Sequence, residues 1–194
     1  MTTEAASAPL TLPFAAVDDL DAWLAGHPAP HPGLWVKIAK KGSGLPSVTW
    51  EDVNDVALCH GWITGQRRAL DGTHYLQRIT PRRRRSLWSM VNVRRVAELE
   101  AEGRMRPAGR AEVAAAREDG RWEAAYESQS NATVPDDLVR ALAEHPRAQA
   151  AFDLLGRTDR YLVILGLLRT RTAKGRATHL AAAVARLAAS APAP

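Results

Sequence analysis

The chain has 194 residues, 46% of them apolar, with 26 Lys and Arg against 21 Asp and Glu, a formal charge of +5 and a single cysteine. That is enough apolar material for one domain, or one domain with a helical extension, and it argues against a wholly disordered chain. Cys59 alone excludes an internal disulfide or a thiolate zinc site made by this chain by itself, and it fits a reducing, cytoplasmic setting.

Residues 1–9 are small and polar, without the basic start or apolar run of a signal peptide, and read as a mobile tail. Residues 10–14 alternate as a short strand. Asp18 and Asp19 open a helix that ends at Gly26 and the prolines Pro28, Pro30 and Pro32. Residues 34–38 have strand propensity and lead into Lys40-Lys41-Gly42-Ser43-Gly44, a basic loop that lacks the full phosphate-loop pattern. Thr49, three residues before Asp52, is placed to cap a helix over 50–60, with Val53, Val56 and Ala57 inward. Residues 62–70 and 73–80 then form a hairpin around Asp71-Gly72, read as a two-residue type I′ turn. In that register Arg68 opposes Tyr75, Gln66 opposes Gln77 and Thr64 opposes Ile79. Trp62, Thr64, Gln66, Arg68, Tyr75, Gln77 and Ile79 would share one face, a mixture of aromatic and amide groups suited to a pocket wall.

After Pro81 come Arg82-Arg83-Arg84-Arg85 and Ser86, expected to cap a helix running to about residue 102, with Leu87, Met90, Val91, Val93 and Val96 inward. Pro107 opens another helix, which Gly120 closes. An aromatic turn over 121–126 follows, and then three or four helices from Pro135 onward. Residues 161–168, the most apolar later stretch, are too short to span a membrane and read as a buried helix.

Nine arginines and one acid, Asp71, fall between Arg67 and Arg95, although arginine outnumbers lysine 22 to 4, so part of this charge is compositional bias. An arginine run at a helix start would bring guanidinium forks and free amides to one volume and favour an anion; the competing reading is a solvated charge run. Trp62, Trp88, Trp122, Tyr75, Tyr126 and Tyr161 could supply flat apolar surface, though any single one is more often core. Cys59 and His60 are adjacent and diverge on a helix, so they do not make a nucleophile and its base. No histidine pair stands at i, i+4 within an expected helix, since His27 and His31 follow the helix stop at Gly26, and no metal or cofactor is expected.

The strings LWVKIAKKGSG, VALCHGWITGQRRALD, YLQRITPRRRRSLWSMVN, GRMRPAGRAEV, DGRWEAAYESQSNATVPDDL and TDRY, in this order between Leu34 and Tyr161, resemble the YdeI/OmpD-associated family, also called bacteriocin-protection proteins. The resemblance implies a small, cytoplasmic, cofactor-free α+β protein linked by name to survival of antibacterial peptides, with no implied reaction. Its motif positions are Gly61, Trp62, Ile63 and Gly65, then Arg82, Arg83, Arg85, Ser86, Trp88, Ser89 and Asn92, then Trp122, Tyr126, Gln129 and Ser130. Thr64 stands where the family usually has an acid and Met90 where it usually has a lysine, as a binding paralogue with an altered pocket would show.

The expected fold is α+β: a small antiparallel sheet with a central hairpin packed on helices, then a helical C-terminal half. The expected divisions are a tail over 1–9, an α+β core over 10–130, a helical region over 131–189 packed on that core, and a frayed end over 190–194. The leading functional expectation is a stress or antibacterial-protection protein binding a small aromatic or anionic molecule, or a peptide, without catalysis. Its site would comprise Trp62, Thr64, Gln66, Tyr75, Gln77, Arg82, Arg83, Arg85, Ser86, Trp88, Asn92, Trp122 and Tyr126. The alternatives are a nucleic-acid binder using Arg82 to Arg85 and an enzyme using Ser86, His60 or Cys59.

Overall fold

In the computed structural model, which describes residues 10–129, 131–170 and 172–190, the apolar run Leu34–Ala39 forms strand β2 at the interior of a four-stranded sheet. The tail over 1–9, residues 191–194 of the expected frayed end and the motif position Ser130 lie outside the described residues. The other strands are β1 (Leu10–Pro13), β3 (Trp62–Ala69) and β4 (His74–Pro81), in the order β1-β2-β4-β3. β2, β4 and β3 are antiparallel, as expected. β1 runs parallel to β2, which makes the sheet mixed, because helix α1 (Val17–Gly26) supplies the crossover that a parallel neighbour requires. The class is α+β.

The chain divides into two compact units, one of residues 10–86 and 92–123 and the other of residues 87–91 and 124–190. In the first, Leu34, Val36 and Ile38 of β2 and Ile79 of β4 pack with Leu20 and Leu24 of α1 and Val53, Val56 and Ala57 of helix α2 (Trp50–Cys59). The expected cap is present in full: Thr49 Oγ1 accepts from the Asp52 amide at 3.1 Å, and the Asp52 carboxylate accepts from the Thr49 amide at 2.8 Å.

The hairpin departs from the expected register. Trp62, Ile63 and Thr64 do pair with Pro81, Thr80 and Ile79, but beyond a β-bulge between Thr64 and Arg67 the pairs become Arg67 with Gln77, Arg68 with Leu76 and Ala69 with Tyr75. One extra residue on β3 is enough to turn Arg68 to the other face of the sheet. Buried Gln77 holds the bulge, its side-chain amide donating to the carbonyls of Gly65 (2.9 Å), Gln66 (3.3 Å) and Arg78 (3.2 Å). The turn is also not the two-residue type. Asp71 accepts from the amides of Thr73 (2.8 Å) and His74 (2.7 Å), a side-chain-built turn that occupies Asp71, Gly72 and Thr73, and Gly72 is not at positive φ.

Ser86 does not cap a helix. Its Oγ accepts from the Arg83 amide at 3.0 Å, and helix α3 (Met90–Ala101) starts four residues later. Residues 88–90 are instead held by Tyr126, whose amide donates to the Trp88 carbonyl and whose carbonyl accepts from the Met90 amide. The buried residues of α3 are Val96 and Leu99, and Val91 is exposed, so the expected inner stripe is shifted. Helix α4 (Pro107–Glu118) has Pro107 in its first turn, where the missing N–H costs nothing. It crosses the end of α2 closely, since a Cβ on Gly109 would collide with the carbonyls of Leu58 and Cys59.

The second unit contains four further helices, α5 (Asp136–Ala143), α6 (Pro146–Leu154), α7 (Arg157–Leu168) and α8 (Ala173–Ser190), as the sequence led one to expect. Leu138, Leu142, Phe152, Ile164, Leu167, Val184 and Leu187 form their common core. The Arg176 guanidinium grips both oxygens of Asp137, at 2.6 and 2.9 Å. No helix among the described residues is long and apolar enough to cross a membrane.

Two substitutions test this architecture. Gln77→Ala strands the bulge carbonyls and is expected to cost about 1–3 kcal/mol in denaturant unfolding. Gly109→Ala forces α4 off α2 and is expected to cost about 1–3 kcal/mol through overpacking. A loss within about 0.5 kcal/mol for either, the range of an ordinary surface substitution, would contradict the role given to it.

Candidate functional site

The ends of several elements of the first unit converge on a cleft of about 500 Å³. Leu24 and Ala25 come from the end of α1, Pro28 and Ala29 from the loop after it, and His60 and Gly61 from the end of α2. Trp62 and Pro81 come from the paired ends of β3 and β4, and Arg106, Pro107, Ala108 and Glu112 from the start of α4. Gly61 has φ +72°, and a Cβ there would press on the Ala108 carbonyl and on Glu112, so glycine is required both by the backbone and by the approach of α4. The loop beside the cleft is secured by rings: Trp23 stacks on His27 at 4.0 Å between centroids, and His31 lies 5.4 Å from both Trp23 and Trp62.

The polar wall is built on Asp21. Its Oδ1 lies 2.8 Å from His60 Nε2, a geometry in which the ring N–H donates, and Arg106 donates through Nη2 to Oδ2 at 2.6 Å and through Nε to Oδ1 at 3.3 Å. Burial works against this carboxylate, but the hydrogen bonds and charges of Arg106 and His60 outweigh it and hold its pKa below the ordinary value. Arg82, 6% exposed, adds a second guanidinium to the lining, and its amide donates to the Gly61 carbonyl at 3.0 Å. Because Arg106, Pro107 and Ala108 line the cleft, the positive end of the α4 dipole borders the same volume. Arg82, Arg106 and the start of α4 bring positive charge to the wall, Asp21 and Glu112 bring negative charge, and Leu24, Pro28, Trp62 and Pro81 form its apolar side.

Of the site residues expected from sequence, Trp62 and Arg82 line this cleft, Trp62 mostly as core at 1% exposure. Thr64 donates to Asn54 Oδ1 at 3.2 Å, Gln66 is exposed, and Gln77 serves the bulge. Tyr75 lies under the Arg67 guanidinium, 4.5 Å from ring centroid to carbon, beside a separate groove formed with the Lys40 to Gly44 loop. Arg83 and Arg85 are exposed, and Ser86 is engaged by the Arg83 amide. Trp122 lies under Arg117, and Asn92 is half-buried on α3. Trp88 and Tyr126 belong to the second unit, where Trp88 is buried. Most of the hairpin face packs on the helices, with Trp62 and Ile79 in the core cluster, and only its two ends reach grooves, Trp62 at the cleft and Tyr75 at the Lys40 to Gly44 loop.

Asp21, Arg106 and Glu112 were not among the residues singled out from the sequence. The pairing of Asp21 with His60 and Arg106 spans 39 and 85 residues, and no local spacing announces it. A thiol mechanism at Cys59 is contradicted: the side chain is buried, and burial pushes its pKa up to about 11, far from a thiolate.

The Asp21 cluster has a pH signature. A carboxylate whose folded-state pKa is depressed contributes its stability in full above its unfolded-state value and loses it as pH falls through the folded-state value. Asp21→Asn is therefore expected to lower stability at neutral pH by about 1–3 kcal/mol. The gap to the wild type should close as the pH is taken into the acid range below about 4. Thermal melts of both proteins over a pH series check this, and a gap of constant size would count against the cluster.

Residues 12–112 match the family described as "Domain of unknown function (DUF8412)", and residues 131–190 match "Bacteriocin-protection, YdeI or OmpD-Associated". The family named from sequence is thus found on the helices of the second unit, whereas the hairpin and arginine motifs that suggested it fall within the other match. No curated protein and no solved structure matches the chain. The chain belongs to the family described as "Domain of unknown function (DUF8412)", and its residues 131–190 are similar to the family described as "Bacteriocin-protection, YdeI or OmpD-Associated".

Proposed function

We propose that the protein is a stress or antibacterial-protection protein whose first unit binds, without catalysis, a small organic anion with an aromatic or other apolar body. The observation that carries this reading is the meeting of nearly buried Arg82, the positive end of α4 and an apolar wall in one cleft of about 500 Å³. That volume falls within the range of about 300–1,000 Å³ usual for small-molecule sites. Support for a protective role comes from the description of the family matched at residues 131–190. The proposed setting is the cytoplasm, in keeping with a sole cysteine that remains a buried thiol.

The exposed arginines Arg83 and Arg85, with Gln66 and Asn92, drop out of this reading, and His60 and Arg106 supply its hydrogen-bonding groups. Asp21 fixes the ring of His60 and one edge of Arg106, so both present a set orientation to an occupant.

The test is a thermal-shift screen of the full chain against aromatic carboxylates, phosphorylated aromatics and neutral analogues, since a ligand that prefers the native state raises the melting temperature. Acidic members are expected to raise it and their neutral analogues not. Ala108→Phe, made at an exposed position on the cleft rim, should abolish the shift and leave the ligand-free melt unchanged. Shifts that persist in this variant would place the ligand elsewhere and overturn the reading.

A further inference from the structure

None of the four strands contains an aspartate or glutamate, yet they carry Lys37, Arg67, Arg68 and Arg78. Strand register sorts these cations. Leu34, Val36, Ile38, Gln77 and Ile79 point to the helices, so Trp35, Lys37, Leu76, Arg78 and Thr80 point the other way. The bulge brings Arg68 opposite Leu76 and so adds it to the second set. None of these side chains joins the apolar cluster between sheet and helices. This face therefore carries three cations on three neighbouring strands and no strand-borne acid.

Its centre is a built platform. The guanidinium carbons of Arg68 and Arg78 lie 4.7 and 5.5 Å from the Trp35 ring centroid, and between them the indole is reduced to 5% exposure. Arg78 is further fixed by donating from Nη2 to the Pro32 carbonyl at 2.7 Å. Two planar cations are thus held against an aromatic ring, Arg68 exposed and Arg78 partly so. Guanidinium planes accept splayed bases by stacking, while their N–H edges and Lys37 meet phosphates. A duplex hides its base faces, and an acidic peptide such as polyglutamate has no aromatic ring to stack.

We propose that this sheet face is a docking surface for single-stranded nucleic acid, with bases stacking on the Arg68 and Arg78 guanidiniums that Trp35 supports. It is separate from the cleft and does not depend on the cleft's ligand.

The test is fluorescence anisotropy of a labelled single-stranded oligothymidylate titrated with the full chain at low and moderate salt, with a duplex of equal length and polyglutamate as competitors. The single strand should bind more tightly than either competitor. Arg68→Ala with Arg78→Ala should weaken it roughly tenfold or more. Arg68→Lys with Arg78→Lys, which keeps the charge and removes the planes, should lose much of the same affinity. Arg83→Ala with Arg85→Ala should change it little. Absence of saturable binding, equal binding of duplex or polyglutamate, a Lys pair that matches the wild type, or a dominant effect of Arg83 and Arg85 would each overturn the proposal.

Discussion

The carboxylate of Asp21 ties three parts of the first unit to one point: α1, which carries it, the end of α2 through His60, and the start of α4 through Arg106. A carboxylate accepting from two cationic or polar donors is stable at half-burial only while both stay in place. The close crossing of α2 and α4, possible because residues 61 and 109 are glycines, brings the donors within reach. The cleft is a consequence of the same meeting. The cleft lies beside this charge, between the end of α2, the start of α4 and the loop after α1.

The arginine-rich stretch shows how little a charge run says until its residues are placed. Arg82 turns inward and lines the cleft, whereas Arg83, Arg84 and Arg85, its immediate successors, are exposed. Arg95, later in the same stretch, grips Asp55 through two hydrogen bonds of 2.8 and 2.6 Å and serves packing between α3 and α2. Arg68 and Arg78 lie over an indole. One composition thus yields a cleft lining, a solvated turn, a structural ion pair and a flat cationic surface.

The two matched families fall on different parts of the chain, and so does the chemistry. The cleft and the cationic sheet face use only residues before 113, within or beside the match of unknown function. The matched helices over 131–190 have their own apolar core and their own arginine–aspartate fork. A protective role suggested by the second description bears on the cleft only as a proposal for the whole chain.

Local physics was legible in the sequence. The capping box at Thr49 and Asp52, the proline at the start of α4, the helix stops at Gly61 and Gly120, the hairpin and the helical later half all follow from short-range preferences that neighbours satisfy by themselves. Register was not legible, because a bulge is a choice of one extra residue, stabilised from across the ladder by Gln77 and invisible in the alternation of β3 alone. The helix turn expected directly after Ser86 did not form, because the Arg83 amide and Tyr126 took up that segment's hydrogen bonds. Trp62 and Arg82 could be named as candidates, being unusual residues at the ends of evident elements. Asp21 and Arg106 could not, since a pair 85 residues apart becomes a site only when folding brings the middle of α1 against the start of α4, and that was decided by tertiary packing alone.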